Sequence, residues 1–244
     1  MELSRWLALA SMPLWMITMN AAQAQAQRCE AASGPQQVLL VELYTSEGCN
    51  SCPPADRWLS TLKGRPDVLA AAFHVDYWDR LGWKDRFGSP QFTQRQARQQ
   101  ASSGAGFSYT PQVLVNGRDW RRWPGLPAPG STAAVQIRLQ REDDQQVAVQ
   151  VTPLAGAPDR LAAWWARLED GHVSAVKAGE NAGVTLLHDH VVRGYGLLPA
   201  WAAAPQHWRL DAPRLGEGGR AARLLLVVTD AATGAPLQAA QLGC

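Results

Sequence analysis

The chain has 244 residues, 23 Lys plus Arg against 21 Asp plus Glu, and a formal net charge of +2 with His neutral. Charge this balanced, with basic residues scattered apart from a short cluster at residues 118–122, excludes the basic footprint of a nucleic-acid-binding surface. The length suits one large domain or two small ones, and no apolar run after the first twenty residues reaches membrane-spanning length.

Residues 1–26 read as a signal peptide. Arg5 supplies the positive start, residues 6–19 the apolar stretch, and Ala22-Gln23-Ala24 and Ala24-Gln25-Ala26 the small-x-small cleavage signals; an uncleaved anchor is the alternative. Arg28 before Cys29 argues against a lipoprotein cysteine. Export implies a periplasmic or secreted protein in an oxidising compartment, with no membrane contact after cleavage. Four cysteines are present. Two form a C-x-x-C motif, leaving Cys29 and Cys244 to bridge each other or to stay as free or intermolecular thiols.

The next stretch, residues 38–62, carries the chemistry. An apolar run at residues 38–43 reads as a strand, Thr45-Ser46-Glu47-Gly48 as a turn, and Cys49 and Cys52 are followed by Pro53, Pro54 and a helix-like pattern. Strand, turn, C-x-x-C and helix in that order is the layout of a thioredoxin-like redox site. The helix N-terminus favours a thiolate on Cys49, which becomes the exposed nucleophile, with Cys52 the resolving thiol. The motif alone also fits a local structural disulfide. A complete structural zinc site would need four ligands, and no second pair follows.

Glu42, in the strand, is the candidate proton acceptor behind Cys52, or else a solvent-facing residue. Glu47, in the turn, is expected to be solvated. Residues 68–75 form a second buried strand ending in His74-Val75-Asp76-Tyr77-Trp78-Asp79. A strand end of this kind faces the ligand crevice of an α/β sheet, so Asp76 is a second candidate for moving the proton, and Trp78 a candidate for binding substrate. Residues 80–86 read as a loop and 90–100 as a helix. Tyr109-Thr110-Pro111, then an apolar strand and an Asn116-Gly117 turn, complete the thioredoxin signature. In that fold the proline is cis, and Thr110 pairs with an extended substrate peptide.

Three prolines and two glycines at residues 123–130 mark a boundary. Beyond it, alternation at Val135, Ile137 and Leu139 and again at Val147, Val149 and Val151 reads as a hairpin, with a helix at 131–139 the competing reading. Further strands are expected at 161–168, 173–177, 184–195, 208–210, 222–229 and 237–242. The expectation is an α/β thioredoxin-like domain followed by an antiparallel β-sandwich-like domain: 27–123, a linker at 124–132, and 133–244. His188 and His190 would share a strand face, as paired metal ligands or as ordinary polar residues.

The blocks VELYTSEGCNSCPPAD (41–56), FHVDYWDRLGWKDRF (73–87), YTPQVLVNG (109–117), GENAG (179–183) and HDHVVR (188–193) resemble the secreted family catalogued as domain-of-unknown-function family 1223. The resemblance spans the whole mature chain. It implies a thioredoxin-like fold with an appended β-rich segment, and supplies no established reaction. The expected function is thiol–disulfide exchange with protein thiols or disulfides, without metal or organic cofactor. The alternatives are a soft-metal carrier holding Cu(I) on the cysteines, with His74 as an additional ligand, and a redox-inert partner-binding module.

Overall fold

The computed structural model describes residues 29–128 and 130–244; the signal peptide expected at 1–26 lies outside the described residues. A short strand, Glu30–Ala32 (β1), precedes the apolar run, which forms Leu39–Thr45 (β2), buried at every position. Pro53–Ser60 (α1) starts from Cys52 as its N-cap. Its two prolines fall in the first turn, where their missing N–H groups cost no helical hydrogen bond. Val68–His74 (β3) follows, then Pro90–Ser103 (α2), which begins where the Ser89 side chain accepts from the Gln91 N–H and stops at Gly104, φ 83°. Gln112–Val115 (β4) and Arg118–Asp119 (β5) form a hairpin. Its turn residues Asn116 and Gly117 sit at φ 47° and 76°, as a two-residue hairpin turn requires.

The rest of the described chain is β-structure: Val135–Arg141 (β6), Gln146–Pro153 (β7), Arg160–Glu169 (β8), His172–Ala175 (β9), Thr185–His188 (β10), Val191–Ala202 (β11), Gln206–Asp211 (β12), Ala222–Asp230 (β13) and Pro236–Leu242 (β14). The fold is therefore mostly β-sheet. One eight-stranded sheet has the order β14-β13-β8-β11-β3-β2-β4-β5, a four-stranded sheet the order β1-β6-β7-β12, and β9 pairs with β10 alone. The large sheet runs through the boundary expected at 124–132: Val191 of β11 lies opposite Ala72 of β3, and the Ala72 N–H donates to His190 O at 2.8 Å.

Alternation along β2 divides the sheet's two faces. Leu39, Val41 and Leu43 pack under α1 with Ala55, Trp58 and Leu59, while Leu40 and Tyr44 pack with Phe73 and with Phe92 of α2. The four-stranded sheet lies over the far end of the large one, where Val135, Ile137 and Leu139 meet Leu161, Leu224 and Leu226. Each such side chain contributes about 1.5–3 kcal/mol on burial.

The hairpin expected from the alternation at 135–139 and 147–151 is present as β6 and β7, and residues 131–139 hold no helix. One expectation is corrected. The single strand expected at 184–195 is two, β10 and β11, broken where His190 takes φ 57°. His188 and His190 consequently do not share a strand face. The His188 ring packs edge-on against His74 and Phe87, whereas His190 Nδ1 faces Arg223 at 3.5 Å.

Cys29 and Cys244 are bridged across a sequence separation of 215. Because the bridge closes most of the chain, replacing both cysteines by Ser is expected to cost about 2–5 kcal/mol. A denaturant titration checks this; an unchanged midpoint would mean that the unfolded chain is not restrained by the bridge.

Candidate functional site

Cys49 and Cys52 form a disulfide, and both residues are 0% exposed. The turn is held by its own backbone: Cys49 N–H donates to Ser46 O at 3.2 Å, and Cys52 N–H to Cys49 O at 3.2 Å. Cys52 O accepts the first helical bonds of α1, from Ala55 and Asp56.

The segment at 179–183, which joins β9 to β10, covers this turn. The buried Asn181 side chain donates from Nδ2 to Glu47 O at 2.8 Å and to Cys49 O at 2.9 Å, and Glu180 Oε2 accepts from the Asn50 N–H at 3.0 Å. Two carbonyls of the cysteine turn thus depend on one amide from a distant hairpin. The expectation of an exposed Cys49 is corrected: the cap shields it as fully as Cys52.

Of the residues expected at the site, Trp78 comes to the cysteine turn, and Thr110 bonds to Trp78. A Cβ on Gly48 would lie 3.0 Å from Trp78 Cβ, so a larger residue there would push Trp78 back by a few tenths of an ångström. The Trp78 indole N–H donates to Thr110 Oγ1 at 2.8 Å, and the Thr110–Pro111 bond is cis, as expected. Tyr109 donates its hydroxyl to Asp119 at 2.7 Å, and burial together with that carboxylate pushes its pKa up to about 12.

Glu42 and Asp76 do not come to the cysteines. Glu42 lies on the face of β2 that packs on α2, opposite α1, and pairs with Arg95 at 2.7 Å. The buried Arg95 guanidinium also lies over the Phe73 and Trp164 rings, at 4.2 and 4.7 Å. Such stacking and pairing let a buried arginine keep its charge. Asp76 bonds Thr93 in the first turn of α2, through its carboxylate and its backbone N–H.

A different set of ionisable groups gathers beside the disulfide. Asp85 accepts from the Glu47 N–H at 2.9 Å, sits 2.7 Å from His74 Nδ1, and accepts from the Phe87 N–H at 2.9 Å. Burial opposes its ionisation, but His74 and these amides outweigh burial and hold its pKa at about 2. Burial likewise opposes a charged His74, and Asp85, Asp56 and Glu47 together raise its pKa. Glu47, expected to be solvated, is fully buried: Trp83 Nε1 donates to its Oε2 at 2.7 Å, and His188 Nε2 lies 3.3 Å from its Oε1. Burial pushes the Glu47 pKa up, but His188, Ser174 and Trp83 bring it below the ordinary value. Asp56, one helical turn after Cys52, accepts from Thr45 Oγ1 at 2.8 Å and has its pKa raised by burial. The i,i+4 spacing of Cys52 and Asp56 was the only sequence signal that could have linked Asp56 to this site.

The profile described as "Protein of unknown function (DUF1223)" matches residues 40–229. The chain belongs to this family. The DUF1223 chain is similar in fold to the crystal structure of protein AGR_C_4864 from Agrobacterium tumefaciens, with 24% identity, 86% of this chain and 96% of that one covered, and a TM-score of 0.63. It is also similar to HBP35 of Porphyromonas gingivalis, with 14% identity, 86% and 76% covered, and a TM-score of 0.55. No curated protein matches it.

Replacing Asn181 by Ala leaves the Glu47 and Cys49 carbonyls without their donor, a loss of about 1–3 kcal/mol in the cap. The expected result is reduction of Cys49–Cys52 by dithiothreitol about tenfold faster or more, read by mass spectrometry after thiol labelling. An unchanged rate would show that access does not run through the cap.

Proposed function

We propose that the chain is an exported thiol–disulfide exchange protein, in which a thioredoxin-like α/β unit carries the Cys49–Cys52 pair and the β-rich part caps it. The observation that carries this reading is the C-x-x-C disulfide at the start of α1, with Trp78 packed between its turn and the cis Thr110–Pro111 loop. The second disulfide, Cys29–Cys244, supports export, since such bridges persist in oxidising compartments.

In the reaction, a thiolate of a partner protein attacks Cys49 Sγ, the Cys49–Cys52 bond breaks, and Cys52 leaves as the thiolate. A second partner thiolate then attacks the partner sulfur of the mixed disulfide. The partner ends oxidised to a disulfide and the C-x-x-C pair reduced to a dithiol; the reverse sequence reduces a partner disulfide. The positive end of α1 stabilises a thiolate on the first cysteine. Thr110 offers backbone for an extended partner segment, with Tyr109 and Trp78 flanking it. No organic cofactor takes part. Attack on Cys49 requires the cap at 179–183 to move.

A redox-inert structural disulfide is the second reading, favoured by the complete burial of both cysteines. Turnover of insulin disulfides with dithiothreitol separates the two. Exchange supports activity above the uncatalysed rate that is lost in Cys49→Ser, with Cys49 alkylated before Cys52 at mildly acidic pH. A wild-type rate equal to that of Cys49→Ser establishes the inert reading.

A further inference from the structure

We propose that Asp56, His74 and His188 form a binding site for a divalent transition-metal ion of the zinc class, at the junction of α1, β3 and β10. The three residues come from three separate elements. One candidate donor atom from each lies within 4.8 Å of the others, and all three residues are buried. Ligands in a tetrahedral shell with bonds of about 2.0–2.1 Å stand about 3.4 Å apart, so the groups close by about 1.4 Å at most.

The ring nitrogens are what set this cluster apart from ordinary polar packing. His74 is 1% and His188 3% exposed, yet His74 Nε2 and both ring nitrogens of His188 find no hydrogen-bond partner among the described residues. Leaving one buried polar atom unsatisfied costs about 1–3 kcal/mol, and three on two facing imidazoles are hard to explain by packing alone. Asp56 Oδ1 lies 4.0 Å from His188 Nδ1, while Thr45 holds the other carboxylate oxygen.

The far side of each ring has a carboxylate near it. Asp85 is hydrogen-bonded to His74 Nδ1 at 2.7 Å, whereas Glu47 Oε1 lies 3.3 Å from His188 Nε2 without forming a hydrogen bond. A carboxylate on the nitrogen away from the ion is the arrangement that orients metal-ligating histidines. Two imidazoles and a carboxylate form a borderline donor set suited to zinc, with a fourth position left open. A cleft of about 130 Å³, lined by Asp56, His188 and Arg57 among others, gives the ion a way in.

The other buried His–carboxylate group shows the contrast. Glu169, His172 and Glu217 also converge, but Arg86 and Arg193 pair with Glu217 and Arg167 approaches Glu169 at 3.9 Å. Arginine already neutralises that cluster. No lysine or arginine among the described residues pairs with Asp56, Glu47 or Asp85. An ion at the first cluster would tie the hairpin that carries the cap to the helix that carries Cys52. The proposal does not depend on disulfide exchange.

The test uses the full protein with both disulfides intact, so that no thiolate can contribute, after removal of bound metal with a chelator. Zn²⁺ is titrated by calorimetry and Co²⁺ by visible absorption. The expected result is a single equivalent of each, with Co²⁺ showing the intense visible bands of a tetrahedral nitrogen–oxygen site and no thiolate charge-transfer band. His188→Ala and Asp56→Asn are expected to abolish binding, Asp85→Asn to weaken it about 10–100-fold, and His190→Ala to leave it intact. Absence of binding in the wild type overturns the proposal, and so does a thiolate band, or binding that survives both His188→Ala and Asp56→Asn. If a variant fails to fold by near-ultraviolet circular dichroism, the wild-type titration and Co²⁺ spectrum decide.

Discussion

Three segments meet on the Asp85 carboxylate. It receives the Glu47 N–H from the turn before Cys49, the imidazole at the end of β3, and the Phe87 N–H of its own loop. A carboxylate this deeply buried is stable in its ionised form only while its partners stay in place. The Asp85 interactions therefore fix the cysteine turn relative to the sheet, and they turn His74 so that its other nitrogen is left for the cluster with Asp56 and His188.

The sheet keeps this cluster apart from a second buried charge pair. On the α2 face, Glu42 and Arg95 form an ion pair packed among aromatic rings, although Glu42 Oε1 and Arg95 Nε are left without partners. Beyond the strand ends, next to α1, Asp56, Glu47 and Asp85 face two histidines instead, and no arginine or lysine among the described residues pairs with them. The difference is chemical. Arginine supplies five donors in a rigid fork and can satisfy a carboxylate and a phenol at once. Imidazole has one nitrogen on each side, and with His74 Nδ1 bonded to Asp85 its Nε2 is left without a partner.

The sequence made the strands legible because burial on the two faces of β2 and β3, and period-two alternation in β6 and β7, leave direct marks in composition. The C-x-x-C turn, the cis proline and the Asn-Gly hairpin were legible because each has a local cause. The site's second half was not. Nothing near Glu47 announces that Trp83, 36 residues on, will bury it. Nothing near Asn181 announces two carbonyls more than 130 residues away. Glu42 misled for a related reason: its apolar neighbours signalled burial correctly, but which face it took depends on α2, and Arg95 is visible as its partner only once the helix is docked. The break at His190 falls in the polar His188-Asp189-His190 stretch between two apolar runs, and those runs carried the single-strand reading across it.

The β9–β10 hairpin makes one mechanical unit of the two chemistries. Its turn places Asn181 on the cysteine carbonyls, and its far end places His188 against Asp56 and His74. Any motion that lifts the hairpin to admit a partner thiol to Cys49 also separates the donor atoms of the histidine cluster. A ligand that binds only the closed arrangement stabilises it in proportion to its occupancy, and by linkage the open, exchange-competent form loses population by the same factor. On the proposed ion site, an ion bound there would lower how often the disulfide is exposed. Burial of the C-x-x-C at rest is compatible with the proposed exchange where the hairpin opens locally at a lower cost than global unfolding.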